Sequence, residues 1–282
     1  GSRGIQLAID EWEVLTDAPY NLNPDDIAPT VLPIIKNEKG EITCVQFDNC
    51  VGGIAYNRDL AQEYFGVSEP EDMEKIFTDW DVYVEKAREV SEKSSGKVTA
   101  WCGVGDVFSA ASGIFMKEPF VVDKKLNLES SVLKSFNLVE RMVQSGGIGK
   151  IDIYSPAWNA SFSSGNNIFY GCASYVPPYT LQPNDPDGKG RWGLMAAPEG
   201  GGYVQGGTAL AIPKRKSEEK KKLAWTYIRF MALSNEGAIS WMTNNAGVPA
   251  YLPSYTLPEI SIPNEWFRGQ PIIEKYMEIT KN

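Results

Sequence analysis

The chain has 282 residues, enough for about two domains of roughly 150 residues each. Hydrophobic residues make up 43% and charged residues 22%, as in ordinary globular proteins, and no apolar run reaches the ~18 residues that a membrane helix needs. The net charge of -9 argues against a nucleic-acid partner, because that binding depends on attraction to phosphates. With no histidine in the chain, mechanisms and zinc sites that need an imidazole are excluded.

Four cysteines, Cys44, Cys50, Cys102 and Cys172, are too dispersed for a disulfide scaffold. Cys44 and Cys50 could form a bridge if two neighbouring strands carry them, but the spacing favours isolated buried thiols. Residues 1–4 resemble a cloning scar, and no charged-then-apolar signal segment follows them.

Short β-like runs alternate with amphipathic helices along the chain, which predicts an α/β fold with mostly parallel sheets. The predicted strands cover residues 41–48, 51–56, 98–102, 167–172, 193–197 and 203–212. Helices are predicted at 58–65, from 80 to about 94, at 131–144, at 217–233, at 234–245 and around 272–276.

Four of these helices carry specific expectations. Thr78 is the expected N-cap of the helix that begins near Trp80, and Ser217 and Ser234 are the expected caps of the two later helices. In the helix over 131–144, the spacing of Val132, Phe136, Val139 and Val143 predicts a buried face that packs on a sheet.

Five motifs, read in order, resemble those of the solute-binding proteins of carbohydrate ABC importers, the family that includes maltose-binding protein. They are GGIAYNRDL at 52–60, WD at 80–81, GTALAIP at 207–213, AWTYIRF at 224–230 and GVPA at 247–250. Each motif alone is weak, but their order and spacing are specific to the family. They do not specify a ligand.

The resemblance implies a two-lobed periplasmic-binding-protein-like fold with strands that cross between the lobes at a hinge. It places residues 1–48 in the N-terminal lobe, 49–205 in the C-terminal lobe and 206–255 back in the N-terminal lobe. The lobe of residues 256–282 stays open. It also implies an incomplete N-terminal lobe with a reduced sheet and exposed apolar surface, because family members begin with further strand-helix-strand units.

A sugar presents hydroxyl groups and apolar C–H faces, so its site needs aromatic rings beside polar side chains. By the resemblance, Tyr175 takes the position of a stacking ring, although it could instead pack beneath the turn at residues 177–178. Trp158 and Trp266 are further candidates for a ring that stacks against the sugar. Trp101 could belong to the site or to the core.

The resemblance supplies the polar candidates as well. Asp48 and Asn49 match polar positions of a crossing strand, and Asp106 with Phe108 matches a turn that faces the ligand. Gly206 and Gly207 would let the backbone approach the ligand closely. Their alternative role is a hinge alone.

The function implied is a non-catalytic, extracellular receptor, either a surface lipoprotein or periplasmic, that delivers a sugar or oligosaccharide to a membrane permease. No cofactor and no metal is implied. Two alternatives stay open: a carbohydrate-active hydrolase that uses Asp48 and Asp106, and a binding protein for a non-sugar polar solute.

Overall fold

A computed structural model describes residues 9–116, 118–245 and 247–281; residues 1–4, which resemble a cloning scar, lie outside this part. The chain divides into unit 1, Gly1–Cys50 with Val204–Ile262, and unit 2, Val51–Tyr203 with Pro263–Asn282. The chain changes from unit 1 to unit 2 after Cys50 and returns after Tyr203. Each boundary lies two residues from the one expected, at 48/49 and at 205/206. The segment 256–282 is divided between the units after Ile262.

The elements are numbered here in chain order. The strands are β1 (Val45–Gln46), β2 (Val51–Asn57), β3 (Thr99–Trp101), β4 (Val121–Val122), β5 (Lys125–Leu126), β6 (Asn167–Ala173), β7 (Trp192–Met195), β8 (Tyr203–Val204) and β9 (Ala209–Leu210). The helices are α1 (Leu32–Ile35), α2 (Arg58–Phe65), α3 (Pro70–Ile76), α4 (Trp80–Ser94), α5 (Val104–Phe115), α6 (Leu133–Gln144), α7 (Pro156–Ser164), α8 (Gln182–Asn184), α9 (Glu218–Ala232), α10 (Asn235–Asn245) and α11 (Ile272–Ile279).

Unit 1 contains a small antiparallel sheet and the helices α1, α9 and α10. Within the described residues its sheet consists of β1 and β9, with Val45 opposite Leu210. A core that includes Leu15, Ile35 and Ile228 is fully or almost fully buried around this sheet. On α9, the side chains of Leu223, Tyr227 and Phe230 share one face and are more than half exposed, so this helix is apolar on two sides.

Unit 2 is built on a mixed sheet with the order β3-β6-β2-β7, and β8 pairs with β2. β3 and β6 are parallel, whereas β2 runs antiparallel to both β6 and β7. The α/β class is therefore confirmed, but the expectation of mostly parallel sheets is wrong. β3 and β6 are parallel because the connection between them contains helices, which return the chain to the same end of the sheet. β2 follows directly on unit 1, so no helical connection within unit 2 sets its direction.

Helix α4 has the buried face that its sequence predicts, with Trp80, Tyr83 and Val84 turned inward. Its N-cap is Asp79 rather than Thr78, because Val82 N donates a 2.9 Å hydrogen bond to Asp79 Oδ1. The Asp79 side chain lies closer than that of Thr78 to the backbone amides of the first turn, so Asp79 is the N-cap.

The predicted face of α6 is wrong for two of its four residues, since Val132 is buried and Val139 half-buried while Phe136 and Val143 are exposed. Leu138 and Met142 are buried, while Phe136 is 56% exposed and Val143 is 49% exposed. The helix packs against α5 and α4, so its orientation follows a helix interface that the spacing of apolar residues alone does not reveal.

The two serine caps differ. Gly237 N donates a 3.0 Å hydrogen bond to Ser234 Oγ, which confirms the predicted cap of α10. Ser217 is the N-cap residue of α9, as predicted, but the expected hydrogen bond from the first turn to its hydroxyl is not formed.

All four cysteines are free and buried, as the sequence favours. Burial raises the pKa of the Cys44 and Cys102 thiols to about 12, which keeps them protonated and unreactive. Trp101 is fully buried in the core. Among the described residues, no helix combines the length and apolar character that crossing a membrane requires, and no three His, Cys, Asp or Glu side chains are grouped to hold a metal ion.

Candidate functional site

Two tyrosines of unit 2 meet at its surface and are called the tyrosine pair here: Tyr154, which precedes α7, and Tyr175, which follows β6. Their hydroxyl oxygens lie 2.8 Å apart, within hydrogen-bond distance. Tyr154 is 48% exposed and Tyr175 is half-buried. The ring of Tyr175 is therefore not enclosed beneath the turn at 177–178, and the pair presents aromatic surface and hydroxyl groups together.

Behind the pair lies the fully buried Trp158 of α7. Its ring packs edge-on against Tyr154, with centroids 5.3 Å apart. The indole Nε1 donates to the carboxylate of Asp106, at 3.0 Å from Oδ2 and 3.3 Å from Oδ1. Gly171 N on β6 donates a 3.0 Å hydrogen bond to the same Oδ1. The carboxylate thus fixes Trp158, and Trp158 supports Tyr154.

The carboxyl group of Asp106 has no exposed surface. Burial raises its pKa to about 7, although the donors on Gly171 and Trp158 partly offset this effect by favouring the charged form. The hydroxyl of Tyr203 is also buried, and no partner is found for it within the described residues. Both groups lie close to Gly171. A Cβ atom placed on this glycine would be 3.1 Å from the Tyr203 hydroxyl and 3.7 Å from Asp106 Oδ1.

The structure brings together the candidates Asp106 and Trp158 behind Tyr175, but neither exposes surface to a ligand. In this arrangement they act as internal support for the tyrosine pair. Phe108 is half-buried and packs against Phe136 of α6, with centroids 5.3 Å apart.

Trp266 lies against the segment that leads into β7. Its indole Nε1 donates a 2.8 Å hydrogen bond to Asp185 O, and Lys189 Nζ is 5.3 Å from the centre of its ring. Both contacts tie Trp266 to a loop of unit 2, and a cation over the ring face is a stabilising arrangement in itself.

The candidates of unit 1 meet where the chain enters and leaves this unit. Asp48 Oδ1 accepts a 2.8 Å hydrogen bond from Thr208 N, which joins it to the segment of Gly206 and Gly207. Both glycines have positive φ, 91° and 114°, a conformation that favours glycine. Burial raises the pKa of Asp48, while the Thr208 amide lowers it.

Asn49 is fully buried and bridges two segments of unit 1. Its Oδ1 accepts from Thr30 Oγ1 at 3.1 Å, and its Nδ2 donates to the hydroxyl of Tyr255 at 3.1 Å. These bonds use both ends of the amide, so Asn49 organises the ends of the crossing segments.

Tyr154 is absent from the sequence-based candidates. Its signal in the sequence is an aromatic residue directly before the helix start at Ser155 and Pro156, and its backbone has a left-handed φ of 64°. Neither feature indicates a partner 21 positions away, so only the fold reveals the pair.

Solved structures show the same fold at low identity. One is an extracellular solute-binding protein of family 1, with 17% identity and a TM-score of 0.84 over 98% of this chain and 70% of that one. Another is an ABC-transporter-associated binding protein from B. animalis subsp. lactis Bl-04 in complex with beta-1,6-galactobiose, with 19% identity and a TM-score of 0.75 over 98% and 70%.

A third structure is UgpB from Mycobacterium tuberculosis in complex with glycerophosphocholine. It has 14% identity and a TM-score of 0.67 over 100% of this chain and 66% of that one. A comparison with curated protein sequences gave no significant match.

The family comparison is the most informative for function. The family model described as bacterial extracellular solute-binding protein matches residues 6–265, which cover most of both units and include the tyrosine pair. The chain therefore belongs to the family of bacterial extracellular solute-binding proteins.

Proposed function

We propose that this protein is the solute-binding receptor of a bacterial ABC importer and that its solute is a sugar or oligosaccharide. The family match over residues 6–265 supports solute binding. The observation that favours a sugar is the tyrosine pair, since an exposed aromatic ring beside a hydroxyl group suits both the apolar face and the polar edge of a pyranose.

Several similar structures support the same ligand class. The structure from B. animalis subsp. lactis holds beta-1,6-galactobiose, one from Bifidobacterium longum holds lacto-N-biose, and one from T. maritima holds maltose. A receptor of this kind works outside the cytoplasmic membrane, in the periplasm or anchored as a surface lipoprotein, and passes its solute to a membrane permease.

The internal role of Asp106 favours binding over catalysis. A glycosidase needs two carboxyl groups that reach the scissile bond, yet Asp106 is buried and already accepts hydrogen bonds from Trp158 and Gly171. We therefore propose that the protein releases its solute unchanged.

A second candidate solute is a phosphorylated or amine-bearing polar compound, because the similar structure of UgpB holds glycerophosphocholine. The net charge of -9 disfavours an anionic ligand through long-range repulsion but does not oppose zwitterionic glycerophosphocholine. We rank this candidate below a sugar because the tyrosine pair suits a pyranose.

A thermal-shift screen with beta-1,6-galactobiose, maltose, lacto-N-biose and glycerophosphocholine tests the proposal. A ligand that binds only the folded state stabilises it by about 2.7 kcal/mol at ~100 times its Kd. We expect a concentration-dependent rise in Tm with at least one saccharide. A shift with glycerophosphocholine alone would support the second candidate.

A further inference from the structure

We infer that the tyrosine pair binds two neighbouring hydroxyl groups of a saccharide, with Tyr154 contacting the ligand directly beside Tyr175; this inference rests on the proposed function. Nothing in the sequence motifs assigns a role to Tyr154. Its assignment comes from the exposure of its ring, the partner of its hydroxyl group, and the way in which the fold holds both.

The chemistry of the pair fits a diol. Each phenol carries one donor hydrogen and acceptor lone pairs, so the bond between the two does not exhaust the acceptor capacity of the Tyr154 oxygen. The two oxygens lie 2.8 Å apart, similar to the separation of vicinal hydroxyl oxygens on a pyranose ring. A vicinal diol can therefore place one hydroxyl group against each phenol.

The pair is also held rigidly. Trp158 packs against the Tyr154 ring and is itself fixed by the carboxylate of Asp106. Tyr175 follows directly on β6, whose neighbours in the sheet are β2 and β3. Groups that are fixed before binding lose little conformational freedom when the ligand arrives, which favours affinity.

The backbone of Tyr154 supports a binding role independently. Its φ of 64° is unusual for a residue with a large side chain, and strained conformations of this kind concentrate at ligand sites. This left-handed residue directly precedes the N-cap of α7, and 48% of its surface is exposed.

The test removes single hydroxyl groups from both partners. Tyr154→Phe and Tyr175→Phe keep the rings but delete the hydroxyls, and titration calorimetry with beta-1,6-galactobiose and with maltose measures the Kd. Loss of one neutral hydrogen bond should weaken binding by roughly 3- to 10-fold. Tyr227→Phe, at an exposed tyrosine of unit 1, is the matched control and should bind as the unchanged protein does.

Monodeoxy derivatives of the bound disaccharide complete a double-mutant cycle. We expect one deoxy derivative to bind the unchanged protein more weakly than the parent disaccharide does. Tyr154→Phe should bind that derivative and the parent disaccharide equally well, since the two deleted hydroxyl groups contact each other. Thermal unfolding of each variant verifies the fold.

The outcomes separate the two proposals. If the unchanged protein binds a disaccharide and both phenylalanine variants bind it equally well, this inference is wrong and the receptor function stands. If the unchanged protein binds neither disaccharide, this inference fails; the proposed ligand class fails as well only if lacto-N-biose is not bound either.

Discussion

Asp106 should make the stability of the protein depend on pH in a recognisable way. Its pKa is raised to about 7 in the folded state, mainly by burial, while an exposed aspartate has its pKa near 3.9. Between these values the folded state holds a proton that the unfolded state has lost. The free energy of unfolding therefore falls as the pH rises from about 4 to about 7, and this contribution is constant above that range.

The variant Asp106→Asn removes this ionisation but keeps an oxygen that can accept from Trp158 and Gly171. Relative to the unchanged protein, its free energy of unfolding should rise across the same pH range, by at most about 4 kcal/mol for a pKa difference of this size. Urea titrations of both proteins at several pH values measure the difference. Parallel stability curves between pH 4 and 7 would contradict the assignment.

At the same scale, the sequence predicts some site residues and cannot predict others. The resemblance predicts Tyr175 as a site residue, and the structure leaves it half-buried; its contact with a ligand stays a prediction. Trp158 has the same aromatic character, yet it is fully buried as a support. The side of an aromatic ring that faces solvent depends on packing between distant segments, and residue type and spacing do not encode it.

Individual helices allow sharper tests because neighbouring positions differ in role. Asp79→Ala should lower the free energy of unfolding by about 1 kcal/mol through loss of the α4 cap, since Val82 N would lose its acceptor. Thr78→Ala is the matched control and should cost far less. A larger loss from Thr78→Ala in chemical denaturation would show that the cap is misplaced.

Helix α9 provides a second contrast at this scale. Ile228 is 3% exposed and Leu223 is 71% exposed, so the two positions lie on opposite faces of one helix. Ile228→Ala should cost about 2 to 5 kcal/mol through lost burial and a residual cavity, whereas Leu223→Ala should stay within about 0.5 kcal/mol. Equal costs in denaturant titrations would mean that another segment covers the Leu223 face.

Several elements are predictable from the sequence, but the helices α3, α5 and α7 are missed, and the arrangement of the elements is not predictable. Helical periodicity correctly predicts α4, and short, mainly apolar runs correctly predict the strands β2 and β6, which are buried at every position. The direction of β2 and the buried face of α6 are mispredicted. Both depend on contacts between segments far apart in sequence.

At the scale of the whole molecule, two discontinuous units carry separate groups of candidate residues. Unit 1 joins Asp48 to the glycine-containing segment at 206–208, and unit 2 holds the tyrosine pair on a buried polar support. The order of motifs predicts the α/β class and the family, whereas the ligand depends on side-chain geometry in each unit. Saccharide binding without turnover is therefore the property that we propose, because it would connect the residues, the elements and the family.

Titration calorimetry with beta-1,6-galactobiose, maltose and lacto-N-biose, followed by chromatography of each saccharide after prolonged incubation, tests this property most directly. We predict saturable binding of at least one saccharide and its recovery without cleavage. Absence of binding to all three would contradict the proposed ligand class. Cleaved products that disappear with Asp48→Asn or Asp106→Asn would show that the protein is a hydrolase.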